Sequence, residues 1–587
     1  MGLLHGISQC VLCVALLIMP LRSPHASQAL HAEPVAQVAP ATSGAPHNHA
    51  MIVAAHPLAA KAGRAILAQG GSAMDAAIAI QSVLGLVEPQ SSGLAGGGFM
   101  LHYEAAKDTL TSWDGREIAP AAIKPDIFIT QRGKPQAFTK AMTDARAIGV
   151  PGIPALLAAG HKQFGRLDWE TLFAPAIELA EAGFKISPRL HYLLQRDRFL
   201  RKNATPRALY YQKQADGTHK AKPIGTVLQN PAYAATLKQF AKQGAAAFYT
   251  GKIGAQLVAE TSRQGGLLSA QDMRHYQAKQ RPPLCLPYRN YKICSIGPPS
   301  SGGIALLQIL GMLSAFDMAS FAPNSVAGVH MISEASRLAF ADRDLYVGDS
   351  DFVSVPIDNL LDMAYLRRCA ALIKPARALP QLAPGQFTDK PASLRAPNHS
   401  IARPSTTHFV VRDKDGNGVS MTSSIEAAFG SRFMAGGMML NNQLTDFSFL
   451  PEKNGKAVAN AIAPYKRPRS SMTPVMIFDE QGRLFALLGS PGGPRIIGYV
   501  AQTVIGLIDW HLSMQEAIDL PRHVVFRGAI ELETDTRLTE HAQALQSMGH
   551  KVILRAQHSG LHGIKITAQK TEGGADPRRE GIVLTLP

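Results

Sequence analysis

The chain has 587 residues, 46% of them hydrophobic and 17% charged, a balance that excludes a disordered protein and, at this length, a single core of ordinary size. Its 59 Lys and Arg outnumber 43 Asp and Glu, for a formal charge of +16. The cations are scattered, with no basic run interleaved with aromatics. That argues against a nucleic-acid or membrane partner and leaves a basic surface that would draw an anionic substrate.

Val11 to Leu21 (VLCVALLIMPL) is a short apolar run followed by Ser27-Gln28-Ala29. This is the shape of a secretory signal, too short to span a bilayer, although no Lys or Arg precedes it. Residues 1–29 are therefore expected to be removed on export to the periplasm or beyond, and the CxxC of Cys10 and Cys13 with them. Residues 30–50, rich in Ala and Pro, read as a flexible leader. No later stretch is long and apolar enough for a membrane helix.

Ala59 to Gln69 has helical spacing and stops at Gly70-Gly71. A second helix follows, with Ser72 as N-cap, Asp75 three residues on, and a stop before Pro89. Ser91 to Met100 is a glycine-rich turn feeding a strand, and Arg116 follows another strand-like segment. Residues 150–370 are mostly helical in period, as in Val326 to Asp344. Cys285 and Cys294 flank a hairpin pattern; an oxidising compartment would allow a bridge, but sequence does not say whether their Cα atoms approach. Residues 374–405 carry six prolines and little periodicity, an exposed and extended segment. Period two then takes over. Thr407 to Val411 and Val419 to Ile425 form a hairpin across Asp413 to Gly418, and Thr473 to Phe478 pairs with Leu484 to Leu488. The last strand ends in Gly489-Ser490-Pro491-Gly492-Gly493, followed by a helix-like run from Ile496 to Trp510. Helices on either side of antiparallel strands fit a layered α+β protein.

Metal-protease, P-loop and nucleophile-elbow signatures are all missing. Gly492-Gly493 before a helix can aim backbone N–H groups at an anion or an oxyanion. Taken alone, a turn needing positive φ explains the pair better. Arg116 suits bidentate capture of a carboxylate, and Ser470-Ser471 offer two hydroxyls, yet taken alone such an Arg is more often a surface ion pair and such a Ser pair usually a loop. Local reading does not single out Thr406, beyond its position where a proline-rich segment meets a strand.

Together these blocks resemble the γ-glutamyltranspeptidase (glutathione hydrolase) family from about Met51 to Gly581. They include GGSAMDAAIA (70–79), GLAGGGFM (93–100), DGREIAP (114–120), GPPSSGG (297–303), LAFADRDLYVGD (338–349), TTH (406–408), LNNQLTDFS (440–448), RPRSSM (467–472), SPGGPRI (490–496) and ADPR (575–578). The resemblance implies a four-layered αββα N-terminal-nucleophile hydrolase fold, built jointly by two autoproteolytic subunits. The cut would fall between Ser405 and Thr406, leaving 51–405 as large subunit and 406–587 as small subunit, a heterodimer from one precursor. Thr406 would be the nucleophile, with Ser424 its hydroxyl partner where relatives commonly have Thr. Gly492 and Gly493 would form the oxyanion hole. Arg116, Ser470 and Ser471 would hold the α-carboxylate of a γ-glutamyl group, and Gln443 and Asp446 its α-ammonium. No metal or cofactor is implied. Substrates would be glutathione or other γ-glutamyl amides, with water, amino acids or dipeptides as acceptors. Glu426 stands where well-known members have Asn, so it joins the substrate-binding set with an open effect on the acyl group. The segment between Ser448 and Arg467 is shorter than in lidded members, which suggests an open pocket. The rival enzyme reading is a cephalosporin (glutaryl) acylase. The rival from another class is a non-catalytic periplasmic amino-acid-binding protein, which would need neither Thr406 nor the glycine pair.

Overall fold

The computed structural model describes residues 44–45, 49–387, 394–399 and 405–586. The expected signal segment, and the leader apart from Gly44–Ala45 and residues 49–50, lie outside the described residues. Fourteen strands make two large sheets. In chain order they are β1 (Gly44–Ala45), β2 (Ala50–Ala54), β3 (Gly97–Glu104), β4 (Thr109–Gly115), β5 (Lys279–Arg281), β6 (Leu284–Tyr288) and β7 (Tyr291–Ser295). The rest are β8 (Thr407–Arg412), β9 (Gly418–Ser424), β10 (Val475–Phe478), β11 (Leu484–Gly489), β12 (His562–Ile566), β13 (Thr571–Ala575) and β14 (Ile582–Leu586). The first sheet runs β14-β2-β8-β9-β3-β4-β5, the second β1-β13-β12-β11-β10-β7-β6. Three residues of the expected leader thus belong to the sheets: Gly44 and Ala45 pair with Glu572 and Thr571, and Ala50 with Leu586.

The strands sort their side chains by period two. In β8, Phe409 and Val411 join a core with helices α1 (Pro57–Ala68) and α2 (Ala73–Val87), while Val410 faces the second sheet. In β11, Leu487 faces the first sheet, and Ala486 and Leu488 pack on α3 (Gly302–Leu313), α4 (Val326–Tyr346) and α5 (Ile496–Ile508). Helix, sheet, sheet, helix: this is the αββα order the resemblance implied.

Local chemistry sets the element ends that matter. At α2 the Ser72 Oγ accepts from Asp75 N at 3.2 Å and the Asp75 carboxylate accepts from Ser72 N at 2.9 Å, the reciprocal cap read from sequence. All fifteen α2 residues are buried, as an apolar helix between a sheet and outer helices must be. A Cβ on Gly96 would come within 2.2 Å of the Ser424 carbonyl, so this turn needs glycine to let β3 lie close beside β9. Cys285 and Cys294 sit opposite each other on β6 and β7, Cα atoms 4.2 Å apart, and are joined in a disulfide. Among the described residues no helix is long and apolar enough to cross a membrane.

Candidate active site

The β8–β9 hairpin pairs Thr407 with Ser423, which brings Thr406 beside Ser424 at the mouth of the strand pair. The Thr406 Oγ1 donates to Ser424 Oγ at 3.1 Å, and the same oxygen accepts from Glu426 N at 2.9 Å. Thr406 has φ of +152°, an outlier for a β-branched residue. Its carbonyl accepts from Arg579 Nη1 at 2.8 Å. Next along, Thr407 Oγ1 donates to Glu88 at 3.2 Å, and Arg189 Nη1 binds the other Glu88 oxygen at 2.7 Å. Burial raises the Glu88 carboxyl, with Arg189 opposing. The bond from Ser405 to Thr406 is therefore gripped on the threonine side.

The preceding residue departs from the expected exposure. Ser405 is 3% exposed and its hydroxyl donates to the Gln90 carbonyl. Most of the described residues in 374–399 are exposed or half-buried, as the proline-rich composition predicts, but Ser405 is buried.

Arg116 leaves the end of β4 fully buried. Its Nε donates to the Pro468 carbonyl at 3.1 Å and its Nη2 to Asp446 Oδ2 at 2.5 Å. That carboxylate also accepts from Gln443 Nε2 at 2.8 Å, one turn earlier in a 3-10 segment. Among the described residues Arg116 Nη1 has no hydrogen-bond partner; the Glu117 carboxyl lies 3.7 Å away, pushed up to about 8 by burial against the pull of Arg116. Glu426, at φ +78°, accepts from Asn442 Nδ2 at 2.6 Å.

Ser470 Oγ accepts from Met472 N at 3.1 Å and Ser471 Oγ from Arg343 Nη2 at 2.8 Å. Neither hydroxyl donates to any described residue, so each keeps its proton for another acceptor. Gly492 and Gly493 have φ of +138° and +61° and lead through a 3-10 turn into α5. Both need glycine, and a Cβ on Gly492 would meet the Tyr499 ring at 2.7 Å.

One cavity of about 30 Å³ gathers these groups. Thr406, Ser424 and Gly493 line it with Ser405; so do Arg116, Glu426, Gln443, Asp446, Ser470 and Ser471. Of the residues named from sequence only Gly492 is off its wall, one position from Gly493. The volume is room for about two waters, far short of an amino-acid acyl group. Ser405 itself forms part of the wall. Two larger grooves of about 960 and 1010 Å³ contain none of these residues.

Sequence reasoning missed Arg469, which lines the cavity, and Arg579, which holds the Thr406 carbonyl. Both stand in or beside blocks already matched (RPRSSM and ADPR), so the signal was present without a role attached.

Comparison with known proteins identifies the family. The family model described as gamma-glutamyltranspeptidase matches residues 59–586. The glutathione hydrolase proenzyme of Escherichia coli (strain K12) is 34% identical over 541 residues, 90% of each chain. The Acylase ACY 1 proenzyme of Pseudomonas sp. (strain SE83) is also 34% identical over 541 residues, 90% of this chain and 92% of its own. Among solved structures, the cephalosporin acylase from Bacillus halodurans superposes with a TM-score of 0.78 at 26% identity, over 97% of this chain and 99% of that one. With a family model covering most of its length and relatives this similar end to end, the chain belongs to the γ-glutamyltranspeptidase family of enzymes.

Proposed function

We propose that this enzyme is a self-activating γ-glutamyl hydrolase and transferase whose nucleophile is Thr406. The observation that carries the reading is the company Thr406 keeps. A hydroxyl already bonded to Ser424, on a backbone held at φ +152°, shares one small cavity with Arg116 and Asp446. In the uncut chain the Thr406 Oγ1 attacks the Ser405 carbonyl, the C–N bond breaks, and an ester joins the two parts. Water then hydrolyses the ester, restoring the hydroxyl and leaving a free α-amine on Thr406.

That amine is what the precursor lacks. An amide nitrogen is not basic, whereas an α-amine titrates at about 7.7–8.0 and can take the proton of its own hydroxyl. Release of Ser405 also removes one wall of the cavity. The substrate's α-carboxylate then meets Arg116 and the two free hydroxyls of Ser470 and Ser471, and its α-ammonium meets Asp446, Gln443 and Glu426. Attack on the γ-carbonyl forms an oxyanion that Gly492 and Gly493 N–H groups stabilise. The amine departs with the proton held by the Thr406 amine, and water or an amino acceptor takes the acyl group. On this reading 51–405 and 406–587 form a heterodimer, exported by the apolar N-terminal run.

The acylase relatives favour one second reading, a glutaryl acyl group on the same threonine. N-terminal sequencing of the smaller fragment, coupled to a γ-glutamyl-p-nitroanilide assay, tests the proposal. A fragment starting at Thr406 with activity is expected, and Thr406→Ala should stay one uncut, inactive chain. An uncut wild-type protein that still turns over substrate would refute it.

A further inference from the structure

The block LAFADRDLYVGD finds no place in the chemistry above, yet one of its residues reaches the cavity wall. Arg343 lies on α4, 1% exposed, and among the described residues its side chain donates to Ser301, Asp344 and Ser471. Its Nε donates to Ser301 Oγ at 2.8 Å, its Nη1 to Asp344 Oδ1 at 2.7 Å and its Nη2 to Ser471 Oγ at 2.8 Å. Ser301 passes the grip on: its Oγ donates to the Ser470 carbonyl at 2.6 Å and its N to the same oxygen at 2.9 Å. In return, Arg469 Nη1 donates to the Arg343 carbonyl at 2.9 Å. One guanidinium therefore ties the backbone of Ser470 and the side chain of Ser471 to the helix layer.

We propose that Arg343 is a positioning residue for carboxylate recognition, an inference that rests on the reading of Arg116, Ser470 and Ser471 as the carboxylate subsite. A guanidinium has only donors. A hydroxyl that accepts from it has one proton left, which must point elsewhere, and the Ser471 side chain lines the cavity. Arg343 thus turns Ser471 from a hydroxyl of either polarity into a committed donor. The Met472 N–H does the same for Ser470. With Arg116 Nη1, the wall then offers three donors on this side of the cavity, which suits an anionic guest. Asp344 supplies the counter-charge to Arg343. Burial alone would raise its carboxyl, but His399, Arg343 and Arg469 together hold it below the ordinary value. Lysine cannot replace the fork, because a single ammonium does not span Ser301, Asp344 and Ser471 in one plane.

The bland alternative is that Arg343 only fills space between α4 and the loop. Two substrates separate the possibilities. 4-Aminobutyryl-p-nitroanilide keeps the amine and the scissile amide of the γ-glutamyl compound and lacks the α-carboxylate. Arg343→Lys, shown by gel to have self-cleaved, should raise KM for γ-glutamyl-p-nitroanilide about tenfold with kcat within about twofold, the scale of one hydrogen bond to a charged group. On the 4-aminobutyryl compound variant and wild type should agree within about twofold. An equal loss on both substrates means a structural role and overturns the proposal. If wild type itself does not distinguish the two compounds, the carboxylate subsite is wrong and the inference falls with it. Should Arg343→Lys fail to mature, Ser301→Ala decides: it leaves the charge in place and should give the same carboxylate-specific rise in KM, and an unchanged KM would overturn the proposal.

Discussion

Deleting one oxygen tests how the nucleophile is aimed. In Ser424→Ala the acceptor of the Thr406 hydroxyl at 3.1 Å disappears, and so does the acceptor of Glu426 N at 2.9 Å. Ser424 is 2% exposed, so water does not simply replace it. An orphaned buried N–H costs about 1–3 kcal/mol, and a lost orienting hydrogen bond about 1. If about 2 kcal/mol of this falls on the attack step, self-cleavage slows about thirtyfold at 1.36 kcal/mol per decade. The assay is a time course of freshly purified precursor on denaturing gels, with a thermal melt of each variant as the control for folding. Ser424→Thr retains the oxygen on a strand that suits a β-branched residue, and should cleave within about threefold of wild type. Cleavage of Ser424→Ala at the wild-type rate with an unchanged melt would refute the reasoning. Equal failure of the Ala and Thr variants would show that the oxygen is not what matters.

Two further outcomes are expected. Glu117, pushed up to about 8 by burial, is protonated at neutral pH and ionises above it, 3.7 Å from Arg116 Nη1. The new charge competes with the substrate's carboxylate, so KM for γ-glutamyl-p-nitroanilide should rise severalfold (about 3–10 times) between pH 7 and 9, while Glu117→Gln stays flat. The sign for stability is the same: the folded chain holds this proton between the ordinary 4.5 and about 8 while the unfolded chain has lost it, so this residue's contribution to stability falls as pH rises through that window, and Glu117→Gln removes that contribution. Cys285→Ser opens a loop with a sequence separation of 9. Chain entropy puts that at about 2–3 kcal/mol, so the melting temperature should fall while kcat/KM is unchanged, because neither cysteine lines the cavity.

What the sequence made legible was local. The Ser72–Asp75 cap, the two hairpins and the glycine-bounded start of α5 each announce themselves within a few residues. Ser424 was reachable too, since hairpin register puts it beside a residue only 18 positions earlier. Arg116 and Asp446 are 330 positions apart, and Arg579 and Thr406 173, with nothing in composition or period to join them. Family blocks supplied the first pair because roles came attached; Arg579 and Arg343 stand in or beside blocks of the same quality with no role to carry over. The reading of 374–405 as exposed failed at Ser405 for a related reason. Proline content reports the average habit of a segment, whereas burial of its last residue depends on the Gln90 carbonyl from another part of the chain.

The choice between γ-glutamyl and glutaryl groups turns on what happens to the Arg116–Asp446 pair. Arg116 is fully buried and the Asp446 side chain 12% exposed, so the pair is mostly shielded from water. A γ-glutamyl group carries both a carboxylate and an ammonium. It can draw Arg116 to itself and give Asp446 a cation in return, exchanging one ion pair for two with no net charge introduced. A glutaryl group brings only the carboxylate. It takes Arg116 and leaves Asp446 to Gln443 alone, with the Glu426 carboxyl in the same cavity. Stranding one member of a buried pair costs about 3–5 kcal/mol, and the partial exposure of Asp446 argues for the lower end. At about 3 kcal/mol the preference is at least about 10² in kcat/KM for γ-glutamyl-p-nitroanilide over its glutaryl counterpart. Asp446→Asn removes the stranded charge and should narrow that ratio by raising the glutaryl rate. A wild-type enzyme faster on the glutaryl compound would refute this exchange of partners, and the assignment of the acyl group would fall.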